Sequence, residues 1–144
     1  GLDFDGLKKA LYDFTFDFMN KMKAQGTTPE FVSLGNEVQA GMLYPDGSCD
    51  NFAQLSELFN TGYDAVKAVS PDSKVIIHSA GAGDKDLYNW YYGELKKRNT
   101  KYDIIGTSYY PFWTKNTAAQ MREWADYITA KFDTDILIME TGYS

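Results

Sequence analysis

The sequence predicts an α/β fold built on a parallel sheet, and two features of the chain support this. Stretches with helical hydrophobic spacing alternate with short apolar runs along the 144 residues, in the order α-β-α-β-α-β-α-β. One of these runs, "KVIIH" at residues 74–78, is continuously apolar in its interior, which is typical of a strand buried on both faces. Such alternation indicates parallel strands joined by right-handed helical crossovers.

Four helices are predicted from apolar residues that recur at steps of three and four. In the first helix, the recurring residues are Leu7, Leu11, Phe14, Phe18 and Met22. The predicted helices cover residues 7–25, 51–69, 85–98 and 117–132. Glycine and proline follow the first helix, and either Asn116 or Thr117 is expected to cap the last one.

Four short strands are predicted between the helices, and each ends in polar side chains. The strands lie near residues 31–36, 74–79, 103–109 and 135–140. The polar residues at their ends are Glu37, His78, Tyr109 with Tyr110, and Glu140. In a (β/α) barrel, this end of the strands carries the active site. One such residue could simply begin a polar loop, but four of them, two being glutamates, favour a site.

Composition and motifs disfavour several classes of function. The net charge of −6 argues against a nucleic-acid partner, which needs clustered Lys and Arg. No run of 18 apolar residues exists, so we expect no membrane span. The single cysteine, Cys49, allows no intrachain disulfide. The "GAGD" segment lacks the spacing of a dinucleotide fingerprint, which disfavours a doubly wound nucleotide-binding fold without excluding it.

Two glutamates at strand ends suit the cleavage of a glycosidic bond. One carboxylic acid protonates the leaving oxygen, and the other carboxylate attacks or stabilises the anomeric carbon. A separation of about 5–5.5 Å between them predicts retention of the anomeric configuration. The aromatic content of 16% suits a sugar-binding cleft, although core packing explains most of these rings.

Four segments, taken together, resemble glycoside hydrolase family 53, the arabinogalactan endo-β-1,4-galactanases. They are "GNEVQAGMLYPDG", "IIHSAGAGDKDLYNWYY", "YDIIGTSYYPFW" and "ILIMETGYS", in this order over essentially all 144 residues. The resemblance implies a (β/α)8 TIM barrel, of which residues 1–144 supply strands 4 to 7 as one partial catalytic domain. Because a whole barrel takes about 250 residues, we expect a fragment of a larger enzyme, about half a barrel.

The resemblance also implies roles for particular residues. Glu37 is expected to be the general acid/base and Glu140 the nucleophile, while Asn36 is expected to bind the sugar 2-hydroxyl. One of Tyr109 and Tyr110 would hold the nucleophile. The alternation of side chains along a strand favours Tyr109.

Four further residues have weaker assignments. His78 is expected either to line the cleft or to be a hydrogen-bonded buried imidazole. A role in metal binding is disfavoured because the sequence has no second histidine, and we expect no metal or cofactor. Trp113 is expected to stack on sugar, whereas Trp90 is expected in the core. Asp84 would contact substrate or cap the next helix, and capping is favoured.

The resemblance therefore implies a retaining endo-glycosidase that acts by double displacement on β-1,4-galactan, which occurs in the arabinogalactan side chains of pectin. The enzyme is expected to be secreted, to the extracellular space or the periplasm. Tyr44 stands where the family commonly has tryptophan, so galactan specificity stays open. A related enzyme for another β-glycan and a non-catalytic glycan-binding barrel are the alternatives. The 144-residue chain alone is expected to be inactive and to self-associate through sheet edges at residues 31–35 and 135–140.

Overall fold

A computed structural model describes residues 1–143, and one sheet of four parallel strands lies at its centre. The strands are β1 (Phe31–Ser33), β2 (Lys74–Ser79), β3 (Ile104–Tyr109) and β4 (Asp135–Thr141). Their spatial order follows the chain, and each neighbouring pair is parallel. The predicted α/β class is thus confirmed, although β1 is shorter than the predicted strand.

Helices connect the strands, and the four long ones begin at side-chain caps. The helices are α1 (Phe4–Ala24), α2 (Phe52–Val69), α3 (Lys85–Lys97), α4 (Pro111–Thr114) and α5 (Ala118–Phe132). Asp3, Asn51, Asp84 and Thr117 each accept a hydrogen bond from a backbone N–H in the first turn. Thr117, rather than Asn116, caps α5, and it forms a capping box with Gln120. Within residues 1–143, no helix is both long and apolar enough to cross a membrane.

The core lies between the sheet and helices α2, α3 and α5. Four large aromatic residues fill it behind the strands: Tyr88, Tyr91, Tyr92 and Trp124, none more than 2% exposed. The Tyr88 and Tyr92 hydroxyls donate to the backbone carbonyls of Ser79 and Ile77, at 3.0 and 2.9 Å. Because a buried hydroxyl without a partner is costly, these bonds fix α3 against β2.

Three predicted apolar positions lie nearer the surface than expected. Trp90 is 45% exposed on α3 and packs edge-on against Phe52, so its predicted place in the core is wrong. In α1, Phe14 and Phe18 are 72% and 48% exposed, and the fully buried residue of this helix is Met19. The exposed phenylalanines line an apolar groove of about 280 Å³ beside β1.

A β-bulge interrupts the pairing of β3 with β4. Thr107 pairs with Ile138 but Ser108 pairs with Glu140, so Met139 has no partner. Regular alternation would place Glu140 with Ile138, on the side of the sheet that faces α5. The extra residue instead brings Glu140 opposite Ser108, because a bulge changes the face that the following side chain occupies.

Candidate active site

The two glutamates that end the outermost strands lie close together. Neighbouring strands are about 4.8 Å apart, so three spacings would separate β1 from β4 by about 14 Å in a flat sheet. One carboxylate oxygen of Glu37, one of Glu140 and a ring nitrogen of His78 nevertheless all lie within 4.8 Å of one another. Curvature of the sheet and the inward direction of these side chains therefore create a single site.

Glu37 occupies a strained turn directly after β1. Its backbone is left-handed, with φ 48° and ψ 53°, a conformation that costs a residue with a side chain about 1–2 kcal/mol. Gly35, two residues earlier, also has positive φ, at 85°. Strain of this kind persists only where surrounding contacts impose it, and it is concentrated at functional sites.

Tyr110 holds the second glutamate. The Tyr110 hydroxyl donates a hydrogen bond of 2.9 Å to Oε2 of Glu140, and this bond raises the pKa of Tyr110. The Tyr109 hydroxyl instead donates to the Asn116 carbonyl at 2.7 Å. The preference for Tyr109 is therefore wrong, because Tyr109 shares the helix-facing side of β3 with Thr107.

His78 lies between the glutamates and is only 1% exposed. Its Nε2 is 2.8 Å from Oγ of Ser108, so His78 is a hydrogen-bonded buried imidazole, and one of its ring nitrogens lies within 4.8 Å of a carboxylate oxygen of each glutamate. Burial lowers the pKa of His78, although the charges of Glu140 and Glu37 act in the opposite direction. The imidazole is therefore neutral at neutral pH.

Glu37, His78 and Glu140 are also the residues that could hold a metal ion. Ligands at about 2.0–2.2 Å from one zinc ion lie at most about 4.4 Å apart. The three ligand atoms spread over as much as 4.8 Å, so they would have to draw together to bind such an ion. The spacing as it stands suits one carboxylate at an anomeric carbon and the other at the neighbouring glycosidic oxygen.

Glu37 and Tyr110, the hydrogen-bond partner of Glu140, line a cleft of about 290 Å³. Trp113 stands at its rim, 71% exposed, with its ring 4.8 Å from that of Tyr110. A flat exposed ring beside two carboxylates is the arrangement that sugar-binding sites use. The residues that line the cleft are Glu37, Ala80, Gly81, Ser108, Tyr110, Trp113 and Thr114.

The remaining predicted residues, Asn36 and Asp84, are not among those that line this cleft. Asn36 is exposed beside Glu37 at the end of β1. Asp84 accepts a hydrogen bond of 2.9 Å from the Leu87 N–H and caps α3, so the structure supports capping over substrate contact.

Sequence reasoning missed three residues that support the site. Ser108 bonds His78, Gln39 accepts a hydrogen bond of 2.9 Å from the Ala80 N–H, and Tyr91 donates one of 2.7 Å to the Val38 carbonyl. Ser108 precedes the tyrosine pair and could have been found from its position at a strand end. Tyr91 has no such signal, since it sits on the apolar face of a helix.

Comparison with known proteins relates the chain to one group of enzymes. A sequence model of glycosyl hydrolase family 53 matches residues 1–144. An arabinogalactan endo-β-1,4-galactanase of Thermothelomyces thermophilus is 32% identical over 98% of this chain and 45% of its own length. Arabinogalactan endo-β-1,4-galactanase A of Emericella nidulans is 28% identical over 98% of this chain and 42% of its own length. The chain thus spans less than half the length of these relatives.

Solved structures give the same relation. The family 53 catalytic domain of Ignisphaera aggregans superimposes with a TM-score of 0.93 at 33% identity, over 100% of this chain and 39% of that one. A fungal β-1,4-galactanase superimposes with a TM-score of 0.90 at 32% identity, over 98% of this chain and 45% of the galactanase chain. The four parallel strands and their helices are therefore half of a (β/α)8 barrel, as predicted.

Proposed function

Because this chain belongs to glycosyl hydrolase family 53, we propose that the complete enzyme containing it is a retaining endo-β-1,4-galactanase. One observation carries the proposal: one carboxylate oxygen of Glu37 and one of Glu140 lie within 4.8 Å of each other. Retaining glycosidases place these groups about 5–5.5 Å apart, whereas inverting enzymes separate them by about 6.5–9.5 Å to admit a water molecule. The close pair therefore supports double displacement.

Glu140 is the nucleophile in this mechanism. Its carboxylate attacks the anomeric carbon, and the bond to the leaving oxygen breaks as Glu37 gives that oxygen a proton. The hydrogen bond from Tyr110 supports this assignment, since it fixes the orientation of the Glu140 carboxylate for attack. Glu37 then takes a proton from water, which attacks the glycosyl-enzyme and releases both the sugar and Glu140.

The substrate is a β-linked galactan chain, such as the arabinogalactan side chains of pectin. The relatives named above are arabinogalactan endo-β-1,4-galactanases, and the exposed Trp113 ring offers a surface for a sugar face. In this proposal Asn36 binds the 2-hydroxyl of the sugar at Glu140, and His78 lines the floor. Since a plant polymer of this size stays outside cells, we propose that the enzyme is secreted to the extracellular space or periplasm.

A related β-glycan is a second candidate substrate, because Tyr44 stands where the family commonly has tryptophan. The Tyr44 side chain is 62% exposed. Product release from a panel of galactan, mannan and glucan distinguishes the two substrates. Binding of galactan without any hydrolysis would instead indicate a non-catalytic barrel.

The mechanism is tested by Glu37→Gln and Glu140→Gln in the complete enzyme. Each variant is expected to lose roughly 10²–10⁴-fold in kcat, the range for removing a proton-transfer group or nucleophile. Glu30→Gln, which changes an exposed glutamate before β1, is the matched control and should keep normal activity. Near-normal hydrolysis by either active-site variant would overturn the assignment.

Azide separates the two roles. With Glu140→Ala, azide replaces the nucleophile on the opposite face of the sugar and gives the α-glycosyl azide. With Glu37→Ala, azide attacks the glycosyl-enzyme and gives the β-glycosyl azide. NMR of the product anomer identifies which glutamate does which, and the reverse pattern would exchange their roles.

A further inference from the structure

We propose that Tyr91, a fully buried residue of α3, is a positioning residue for Glu37. Its hydroxyl holds the turn that presents the Glu37 carboxylate to the cleft. The proposal rests on the proposed function, in which Glu37 is the general acid/base, and it adds a residue that touches neither substrate nor Glu37 itself.

The turn needs external support because its backbone is strained at two places. Gly35 and Glu37 both have positive φ, at 85° and 48°. A Cβ at Gly35 would come within 2.5 Å of Cγ1 of Val38, so the chain folds tightly back on itself here. Nothing in the local sequence favours a left-handed glutamate, and tertiary contacts must therefore impose this conformation.

Tyr91 supplies the central contact. Its hydroxyl donates a hydrogen bond of 2.7 Å to the carbonyl of Val38, the residue directly after Glu37. That carbonyl also accepts from the Gly41 N–H at 2.9 Å, so both of its lone pairs are used. Burial raises the pKa of Tyr91, which keeps the hydroxyl protonated and able to donate.

A second contact ties the same turn to the neighbouring strand. Oε1 of Gln39 accepts a hydrogen bond of 2.9 Å from the Ala80 N–H, just after β2. Ala80 lines the cleft with Glu37. The turn is thus fixed from the sheet by Gln39 and from the helix layer by Tyr91.

Two neighbouring tyrosines show that this role is specific. Tyr88 and Tyr92 lie on the same helix and are equally buried, yet their hydroxyls bond carbonyls within β2. Of these three tyrosines, Tyr91 is the one that reaches the segment carrying Glu37. Tyr92→Phe is therefore a matched control: it removes the same atom from the same helix without touching the turn.

The kinetic test compares Tyr91→Phe with Tyr92→Phe in the complete enzyme. Because a displacement near 1 Å costs up to about 100-fold in rate, we expect Tyr91→Phe to lower kcat/KM on galactan roughly 10- to 100-fold. On a dinitrophenyl β-galactobioside, whose leaving group needs no proton, kcat/KM should fall by less than about threefold. Tyr92→Phe should stay within about threefold on both substrates. Equal losses on both substrates, or the same pattern in Tyr92→Phe, would overturn the proposal.

Hydrogen exchange tests the turn without any substrate. In the complete enzyme, Tyr91→Phe should speed exchange of the Gly41 and Ala80 amides, while amides of β2 and β3 remain protected and show that the variant is folded. Unchanged exchange at the turn would overturn the positioning role. If instead the proposed function were wrong, Glu37→Gln would keep its hydrolysis of galactan, and this result is independent of the exchange measurement.

Discussion

Tyr109 and Tyr110 are adjacent in the chain, but their hydroxyls form hydrogen bonds on opposite sides of the sheet. Tyr110, which lines the cleft, donates to Glu140, and Tyr109 donates to the Asn116 carbonyl near α5. Side-chain alternation separates their functions: one hydroxyl acts on the proposed nucleophile, whereas the other fastens the loop that follows α4.

Removing each hydroxyl in turn should therefore give different losses. In the complete enzyme, Tyr110→Phe is expected to lower kcat/KM on galactan roughly 10- to 100-fold, because it removes a charge-assisted hydrogen bond to Glu140. Tyr109→Phe should keep near-normal kcat/KM but lose about 1 kcal/mol of unfolding free energy. Steady-state kinetics and urea unfolding measure the two effects. A larger kinetic loss in Tyr109→Phe would contradict the structure.

The position of a residue at a strand end could be predicted from sequence, but the direction of its side chain could not. Glu37, His78 and Glu140 follow apolar runs, and parallel strands bring such ends to one edge. The choice between Tyr109 and Tyr110 depends on strand phase, which no residue type in "SYYP" reveals. The bulge at Met139 likewise has no local signature, since it arises from how two strands pair.

At the scale of elements, Asp103 joins a helix to two strands. Its Oδ2 lies 2.7 Å from Nζ of Lys67 on α2 and accepts from the Val75 N–H of β2 at 2.8 Å. The Tyr63 hydroxyl bonds Oδ1 at 3.3 Å. Burial acts to raise the pKa of Asp103, but the bonds from Lys67 and Val75 prevail and hold that pKa below its usual value.

Asp103→Asn should therefore destabilise the chain in a pH-dependent way. A depressed folded-state pKa contributes stability that is full above the unfolded pKa of 3.8 and is lost as the pH falls through the folded value. We expect Asp103→Asn to lose about 1–3 kcal/mol of unfolding free energy at neutral pH, and the difference from wild type to shrink as the pH falls below 3.8. Urea unfolding at several pH values measures both.

Asp64→Asn is the control for this prediction, since Asp64 forms an exposed ion pair with Lys101. It should cost at most about 1 kcal/mol and be sensitive to salt. A pH-independent loss in Asp103→Asn would show that its carboxylate is not the group responsible.

Element boundaries were predictable where caps and periodicity coincide. Thr117 and the apolar stripe of α5 predict that helix well. The single turn of α4 could not be recognised, because four residues carry no period and the "YPFW" segment resembles a loop. The end of β1 depends on Gly35, because its positive φ interrupts the extended backbone. The strand therefore ends earlier than the apolar run in the sequence predicts.

At the scale of the whole molecule, the chain exposes sheet edges and apolar surface. Within residues 1–143, β1 and β4 are the outermost strands, each paired on one side. Phe14 and Phe18 line the groove beside β1, and Ile138 on β4 is 50% exposed. Unpaired edges with apolar neighbours favour association with another chain.

We therefore expect the 144-residue chain alone to self-associate, which sedimentation velocity measures over a range of concentrations. Changing Phe14 and Phe18 together to Asp should weaken the association, because it places charge in the groove. Trp90→Asp, at an exposed aromatic outside the groove, is the control and should leave association unchanged. A monodisperse monomer that binds little hydrophobic dye would argue decisively against self-association.

The same 144 residues are expected to hydrolyse no galactan by themselves, although both glutamates are present. The described cleft is one wall, made by residues at and after the ends of β1, β2 and β3. Catalysis by double displacement needs the sugar held near attack geometry and water kept from the leaving group. A single wall supplies the acid and the nucleophile but neither constraint, so the pair should be chemically intact and unproductive. Reducing-end release at equal molar concentrations of chain and complete enzyme tests this, with Glu140→Gln as background. Hydrolysis by the chain that disappears in Glu140→Gln would mean that half a barrel suffices, and that the rest of the barrel serves affinity rather than chemistry.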